Sequence, residues 1–272
     1  MDYFVDDELA GVPAHRDPKT DEAKQVLMKE LFDTQPEEVF YGRQIEVLFE
    51  RVFFHWITSR ALNELVAEEK IGSAKEPLAK DTHIRFFWST RCRYWKRRAK
   101  RISEVVLEFS RPELGLGLHA ELMFDAGLAR ARFVPTAVDV RSHGGKSWTR
   151  TGHDLDRIYE RDGVSYGAEI KNTLGYIERE ELETKLEMCA FFGVRPLFIM
   201  RASPKSYNFE VIRRGGFALV FGTQLYPFGH GALAEQVQRE LGLPAAAPRA
   251  LPAGTVERFA RWHERKVARQ GV

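Results

Sequence analysis

Cysteine is nearly missing from this chain: its 272 residues hold two, Cys92 and Cys189, far apart and outside any CxxC spacing. That leaves no disulfide framework and predicts free buried thiols in a reducing compartment. No apolar run approaches the roughly 18 residues that a membrane span requires. The first residues, MDYFVDDELAG, are acidic and have neither a positive n-region nor an apolar h-region. No signal peptide is expected, and cytoplasmic residence follows by default. Net charge is small too, +2 from 41 basic and 39 acidic side chains, so the overall balance names no partner. Internal repeats and low-complexity tracts are also lacking.

What the chain does have is an ordinary core-forming composition, 44% hydrophobic and 29% charged, in a length that suits one large domain or two modest ones. Its charges are unevenly placed. Residues 85–101 carry Arg85, Arg91, Arg93, Lys96, Arg97, Arg98, Lys100 and Arg101 with no acidic residue among them. Eight uncompensated positive charges favour contact with phosphate over a merely solvated face. Trp88, Cys92, Trp95, Ala99, Ile102, Val106 and Phe109 recur at steps of four and three. This spacing predicts one long helix with a buried seam and a cationic opposite face, ended at Arg111-Pro112.

The stretch 152–172, GHDLDRIYERDGVSYGAEIKN, reads as a β-hairpin turning at Asp162-Gly163, the dipeptide favoured by two-residue type I′ turns. Cross-strand partners then sum to 325, which sets Tyr159 against Tyr166 and Asp156 against Glu169. Period-2 alternation adds Asp154 and Lys171 to that face, and leaves Leu155, Tyr159, Val164, Tyr166, Ala168 and Ile170 on the other with Arg157 and Arg161. Paired like charges repel unless a proton or cation lies between them. Three carboxylates and an ammonium on an apolar-backed hairpin outline a site for Mg²⁺ or Mn²⁺. A solvated sheet edge is the alternative. His119, His143 and His153 have no metal-ligand spacing.

Around these stretches the chain divides into three parts. Residues 1–34 read as an arm, with Asp2, Asp6, Asp7, Glu8, Pro13 and Pro18 ahead of a short helical pattern from Ala23 to Phe32. A surface strap is expected there, or else a partner or dimer arm. Residues 35–112 form a smaller helix-rich domain. Gln44–Val52 places Ile45, Leu48, Phe49 and Val52 on one face, and Arg60–Glu69, capped by Thr58 or Ser59, turns Leu62, Leu65 and Val66 inward. A β-like run follows at His83–Trp88. Residues 113–272 form a larger domain: a helix with Glu121, a strand at Phe133–Val140, the hairpin, a helix at Ile177–Phe192 with Leu182, Leu186, Cys189 and Ala190 inward, and a strand at Arg195–Arg201. A helix near 207–214, a strand at Phe217–Phe221 and two further helices complete it. The expected class is α/β, a mixed sheet flanked by helices.

Asp156 on one strand, Glu169-Ile170-Lys171 on the next, and this order of elements resemble the PD-(D/E)xK nuclease superfamily with its restriction-endonuclease-like fold. Glu-x-Lys occurs five times in the chain, and only the copy at 169–171 ends an apolar-backed strand after a DG hairpin. The resemblance covers about residues 116–222. It implies a metal-dependent nuclease in which Asp156, Glu169, the Ile170 carbonyl and Glu121 hold Mg²⁺ (or Mn²⁺). Lys171 would orient the attacking water or stabilise developing charge. No proline precedes the aspartate, so Asp154 and Asp156 both remain open as the main ligand. Asp156 is favoured because it opposes Glu169, with Asp154 opposing Lys171 as its salt-bridge partner. Glu183 and Lys185 lie on the following helix, either beside the site or on its exposed face.

Residues 35–88 resemble a winged helix-turn-helix module, which implies that the second helix enters a DNA groove with Arg60 and Asn63 reading bases. Glu64, Glu68 and Glu69 on that helix would repel phosphate, so a structural or protein-binding module is the equal alternative. Arg91, Arg93, Arg97, Arg98, Lys100 and Arg101 are the expected phosphate contacts. The expected partner is duplex or branched DNA, with a homodimer as a further possibility. The rivals are a DNA-binding regulator or assembly factor on a non-catalytic nuclease-like scaffold, and a metal enzyme for smaller phosphate esters.

Overall fold

A computed structural model describes residues 16–79 and 82–268. The chain divides into two units, Met1–Leu114 with Ala232–Pro244, and Gly115–Gly231 with Ala245–Val272. Both cysteines are free and buried, and among the described residues no helix is long and apolar enough to cross a membrane.

The first unit opens on α1 (Lys19–Leu27), which runs into a wider π-helical turn at Met28–Asp33. Ala23, Leu27 and Leu31 recur every four residues and form one stripe, buried together with Phe32. A surface strap therefore does not describe this segment, which supplies core. The acidic run from Asp2 to Glu8 lies outside the described residues. Next come β1 (Val39–Tyr41), α2 (Gly42–Phe49), α3 (His55–Ala67), β2 (Ile71–Ala79), β3 (Thr82–Ser89) and α4 (Trp95–Phe109). The strands form an antiparallel sheet in the order β1-β3-β2.

Two helix boundaries differ from the sequence expectation. Helix α2 stops at Phe49, which leaves Val52 beyond it and exposed, Leu48 within it is exposed as well, and α3 starts early enough that Thr58 is buried inside it rather than capping it. The long helix expected from Trp88 is a strand end, a turn and then a helix, because β3 continues through Ser89 and α4 begins at Trp95. The seam still closes: the Trp88 and Trp95 rings stack 4.1 Å apart, and Ala99, Val106 and Phe109 are buried.

The second unit contains α5 (Leu116–Arg130), β4 (Val134–Val140), a small ribbon of β5 (Ser142–His143) and β6 (Lys146–Ser147), β7 (Leu155–Arg161) and β8 (Val164–Lys171). Then follow α6 (Arg179–Phe192), β9 (Arg195–Met200), α7 (Lys205–Arg213), β10 (Phe217–Val220) and β11 (Gln224–Leu225). Helix α8 (Gly231–Leu241) belongs almost wholly to the first unit, where the Gln44 amide donates to the Leu241 carbonyl at 3.0 Å. The chain ends its described part with β12 (Ala245–Ala246) and α9 (Glu257–Ala268).

The five-stranded sheet has the order β10-β9-β8-β7-β4; β4, β7 and β8 are antiparallel neighbours, and β8, β9 and β10 are parallel. This is a mixed α/β architecture. Alternation sorts the side chains. Tyr159, Tyr166, Ala168, Ile170, Leu197 and Ile199 pack on α5 and on Phe259 of α9. On the opposite face, Ile158 meets Met188, Cys189 and Phe192 of α6, while Phe198 and Met200 meet Leu182 and Leu186. Leu155, expected with Tyr159, lies instead with Ile158 on the α6 side, so strict alternation breaks at the start of β7. Ala190, expected inward, is exposed.

Candidate functional site

The hairpin has the register that the DG turn requires. Asp162 and Gly163 have φ of 51° and 72°, and Arg161↔Val164, Tyr159↔Tyr166 and Arg157↔Ala168 are partners. The ladder ends at that last pair, one step short of Asp156 and Glu169. There the Asp156 carboxylate turns to the neighbouring strand and accepts the Ile170 N–H at 2.6 Å. Asp156 is thus fixed by backbone at the open end of the hairpin.

Glu169 points to the α6 side and is completely buried. Lys185 of α6, itself 3% exposed, lies 2.6 Å from one carboxylate oxygen, and Lys171 lies 3.0 Å from the other. Neither contact has hydrogen-bond angles, so the charge is compensated while both buried oxygens lack a directional donor. Gly167 permits this closeness: a Cβ there would lie 2.8 Å from Cys189 Sγ and from Leu155, and 2.9 Å from Val194. Lys171 also reaches Glu181 at 2.8 Å.

The electrostatics follow from burial. Desolvation, with Glu169 second, raises the Asp156 carboxyl from 3.8 to about 7, against the opposing pull of the Ile170 N–H, Lys185 and Lys171. Burial disfavours the Lys171 charge, yet Glu169 and Glu181 more than offset it and hold its pKa above the ordinary lysine value. Asp154, Asp156, Glu169 and Glu181 surround Lys171 and Lys185, so carboxyl groups outnumber ammonium groups four to two.

The three-carboxylate metal group expected from the sequence does not form: among the described residues no three His, Cys, Asp or Glu side chains converge as a metal site. Asp154 is not the partner of Lys171. It lies 3.8 Å from Lys185 and 3.9 Å from Arg141. Glu121 is on the other face of the sheet, 2.9 Å from buried Arg157, whose guanidinium also meets Asp125 at 3.2 Å. A buried guanidinium needs carboxylate partners, and this one holds both acids of α5. Asp156, Glu169 and the Ile170 carbonyl remain. They are hard oxygen donors of the kind that a small divalent cation takes, and both Glu169 oxygens lack a directional hydrogen bond.

Lys185 and Glu181 complete the cluster. The sequence carried a signal for both: Lys185 lies three residues after Leu182 and four before Cys189, inside the buried stripe, and Glu181 is one turn earlier on the same face. Glu183 instead pairs with Arg179 at the surface.

The proposed DNA contacts of the first unit separate into two sets. Helix α3 has no exposed residue before Ala67; Arg60 is half-buried, and Asn63 accepts a hydrogen bond from Arg85 at 2.6 Å. Glu64 and Glu68 are ion-paired to Arg16 and Lys24. Of the other cations, Arg91 lies on Asp33, Arg98 on Glu38 and Arg101 on Glu240. Arg93, Lys96, Arg97 and Lys100 are exposed and have no carboxylate partner among the described residues. Compared with protein families, curated proteins and solved structures, the chain matches none.

Proposed function

We propose that the chain is a metal-dependent nuclease that hydrolyses phosphodiester bonds in DNA. One observation carries the reading: Glu169, wholly buried, stands beside a backbone-anchored Asp156 with two lysine ammonium groups on its oxygens. Burying so many charges at one strand end is poor design for stability alone. Asp156 and Glu169 with the Ile170 carbonyl would hold Mg²⁺ or Mn²⁺. When bound, the ion would acidify a water and neutralise the scissile phosphate. Lys171, half-buried and held cationic by Glu169 and Glu181, would orient that water or stabilise charge on the phosphate. Lys185, deeper and beneath Glu169, holds the carboxylate in position.

The element order supports the fold part of the reading. A helix, three antiparallel strands, a crossover helix and two parallel strands agree with a restriction-endonuclease-like domain. In the first unit, the order α1-β1-α2-α3-β2-β3 with strands β1-β3-β2 agrees with a winged-helix-like domain, and phosphate contact would come from α4 rather than from α3.

Mg²⁺- and Mn²⁺-dependent cleavage of linear, nicked, branched and single-stranded DNAs tests the reading, with Asp156→Ala and Lys171→Ala beside the wild type. Cutting lost in both variants is the expected result. The missing third carboxylate favours one rival, a DNA-binding regulator on a non-catalytic nuclease-like scaffold. Binding without cutting, unchanged by either substitution, would establish that rival.

A further inference from the structure

An exposed aromatic ring stands at the start of the cationic helix, where Arg93, Lys96, Arg97 and Lys100 have no carboxylate partner among the described residues. Tyr94 is the residue before α4 and is 64% exposed, with Arg93 next to it and the Arg97 guanidinium 5.5 Å from its ring centre. Lys96 and Lys100 follow one turn apart on the helix. Local helix physics does not explain the arrangement. Lys96, Arg97 and Arg98 occupy the first turn, where the helix dipole disfavours positive charge; the turn itself holds no acidic residue, and Glu38 offsets Arg98 alone. An external anion would relieve the mismatch.

The backbone that carries the ring is anchored. Its turn is anchored by the Cys92 N–H on the Ser89 carbonyl at 2.8 Å and by Arg91 on the Phe32 carbonyl at 3.2 Å. The stacked Trp88 and Trp95 rings fix the start of the helix against the sheet. A tyrosine side chain has few rotatable bonds and loses little freedom on binding. A flat aromatic face among phosphate-seeking cations is the chemistry that takes unpaired nucleotides: the cations follow the backbone while a base stacks on the ring. In a continuous duplex the bases are already stacked on each other, and the ring has nothing to accept.

We infer that the first unit binds single-stranded nucleic acid, with Tyr94 stacking an unpaired base and Arg93, Lys96, Arg97 and Lys100 contacting its phosphates. This rests on the nucleic-acid reading above and names the strand form that the chain takes.

Fluorescence anisotropy of the full chain in EDTA, with labelled oligo(dT), oligo(U) and a blunt duplex, tests it without cleavage. Tyr94→Ala is expected to weaken oligo(dT) binding about 5- to 50-fold and leave duplex binding unchanged, with Tyr94→Trp restoring it. The Lys96→Gln/Lys100→Gln variant is expected to weaken both and to lower the single-strand salt slope by about 1.4. Equal losses on oligo(dT) and oligo(U) would extend the site to RNA and support it. Unchanged oligo(dT) binding in Tyr94→Ala, equal losses on single strand and duplex, or no binding by the wild type would each overturn it. Tyr94-dependent binding without any cleavage would retire the nuclease while leaving the strand preference standing.

Discussion

Replacing Asp156 with asparagine separates what the buried charge does to stability from what it does to chemistry. Burial first, and Glu169 second, raise this carboxyl from 3.8 to about 7. The folded chain therefore binds the proton more tightly than the unfolded chain. Its stabilising contribution is complete below about pH 4 and is lost as pH rises through 7. The interval of roughly three units corresponds to about 4 kcal/mol, and the partial exposure of the carboxyl reduces this to roughly 2–3 kcal/mol. Asparagine carries no charge and keeps an oxygen for the Ile170 N–H, so it mimics the protonated acid. Urea unfolding with divalent ions chelated is the assay, run from pH 5 to pH 8. Asp156→Asn is expected to be more stable than the wild type by roughly 2–3 kcal/mol at pH 8 and about 1 kcal/mol at pH 5, while losing cleavage. A stability difference that does not change with pH, or a variant less stable at pH 8, would refute the reasoning.

The other predictions concern the same cluster. Lys185→Met leaves buried Glu169 with Lys171 alone and is expected to cost about 3–5 kcal/mol in urea unfolding. Adding Glu169→Gln to it should recover most of that loss, and strictly additive losses would argue against the pair. Gly167→Ala puts a methyl 2.8–2.9 Å from three side chains. A destabilisation of about 1–3 kcal/mol is expected, and a neutral result would mean that α6 can move away from β8. Mn²⁺ in thermal unfolding should stabilise the wild type and Lys171→Ala, by about 2.7 kcal/mol at a hundredfold excess over Kd. Glu169→Gln should abolish the gain; an equal gain in that variant would place the metal elsewhere.

Local rules accounted for the hairpin. A DG turn dictates positive φ at both central residues, that turn dictates register, and register dictates which side chains approach. Asp156 and Glu169 were therefore legible as neighbours, and the α/β order followed from patterning along the chain. The boundary between β3 and α4 was not legible: Trp88 and Trp95 are spaced as on a helix, and only pairing of β3 with its neighbours shows that the first belongs to a strand.

Charge partners were the least legible part, because an ion pair is chosen in three dimensions. Glu121 looks like a free helix acid until Arg157 is buried beside it, and Asn63 looks like a base reader until Arg85 reaches across to it. Lys185 belongs to another of the five Glu-x-Lys copies, and helical phase turns it inward onto Glu169. The amino-acid order determined the turn, the register and the sheet's alternating faces, since these depend on backbone geometry over a few residues. Which charges meet, and which stay open to a ligand, was decided only when α5 and α6 packed on opposite faces of the sheet. A buried charge must find its partner among whatever the packing brings within reach.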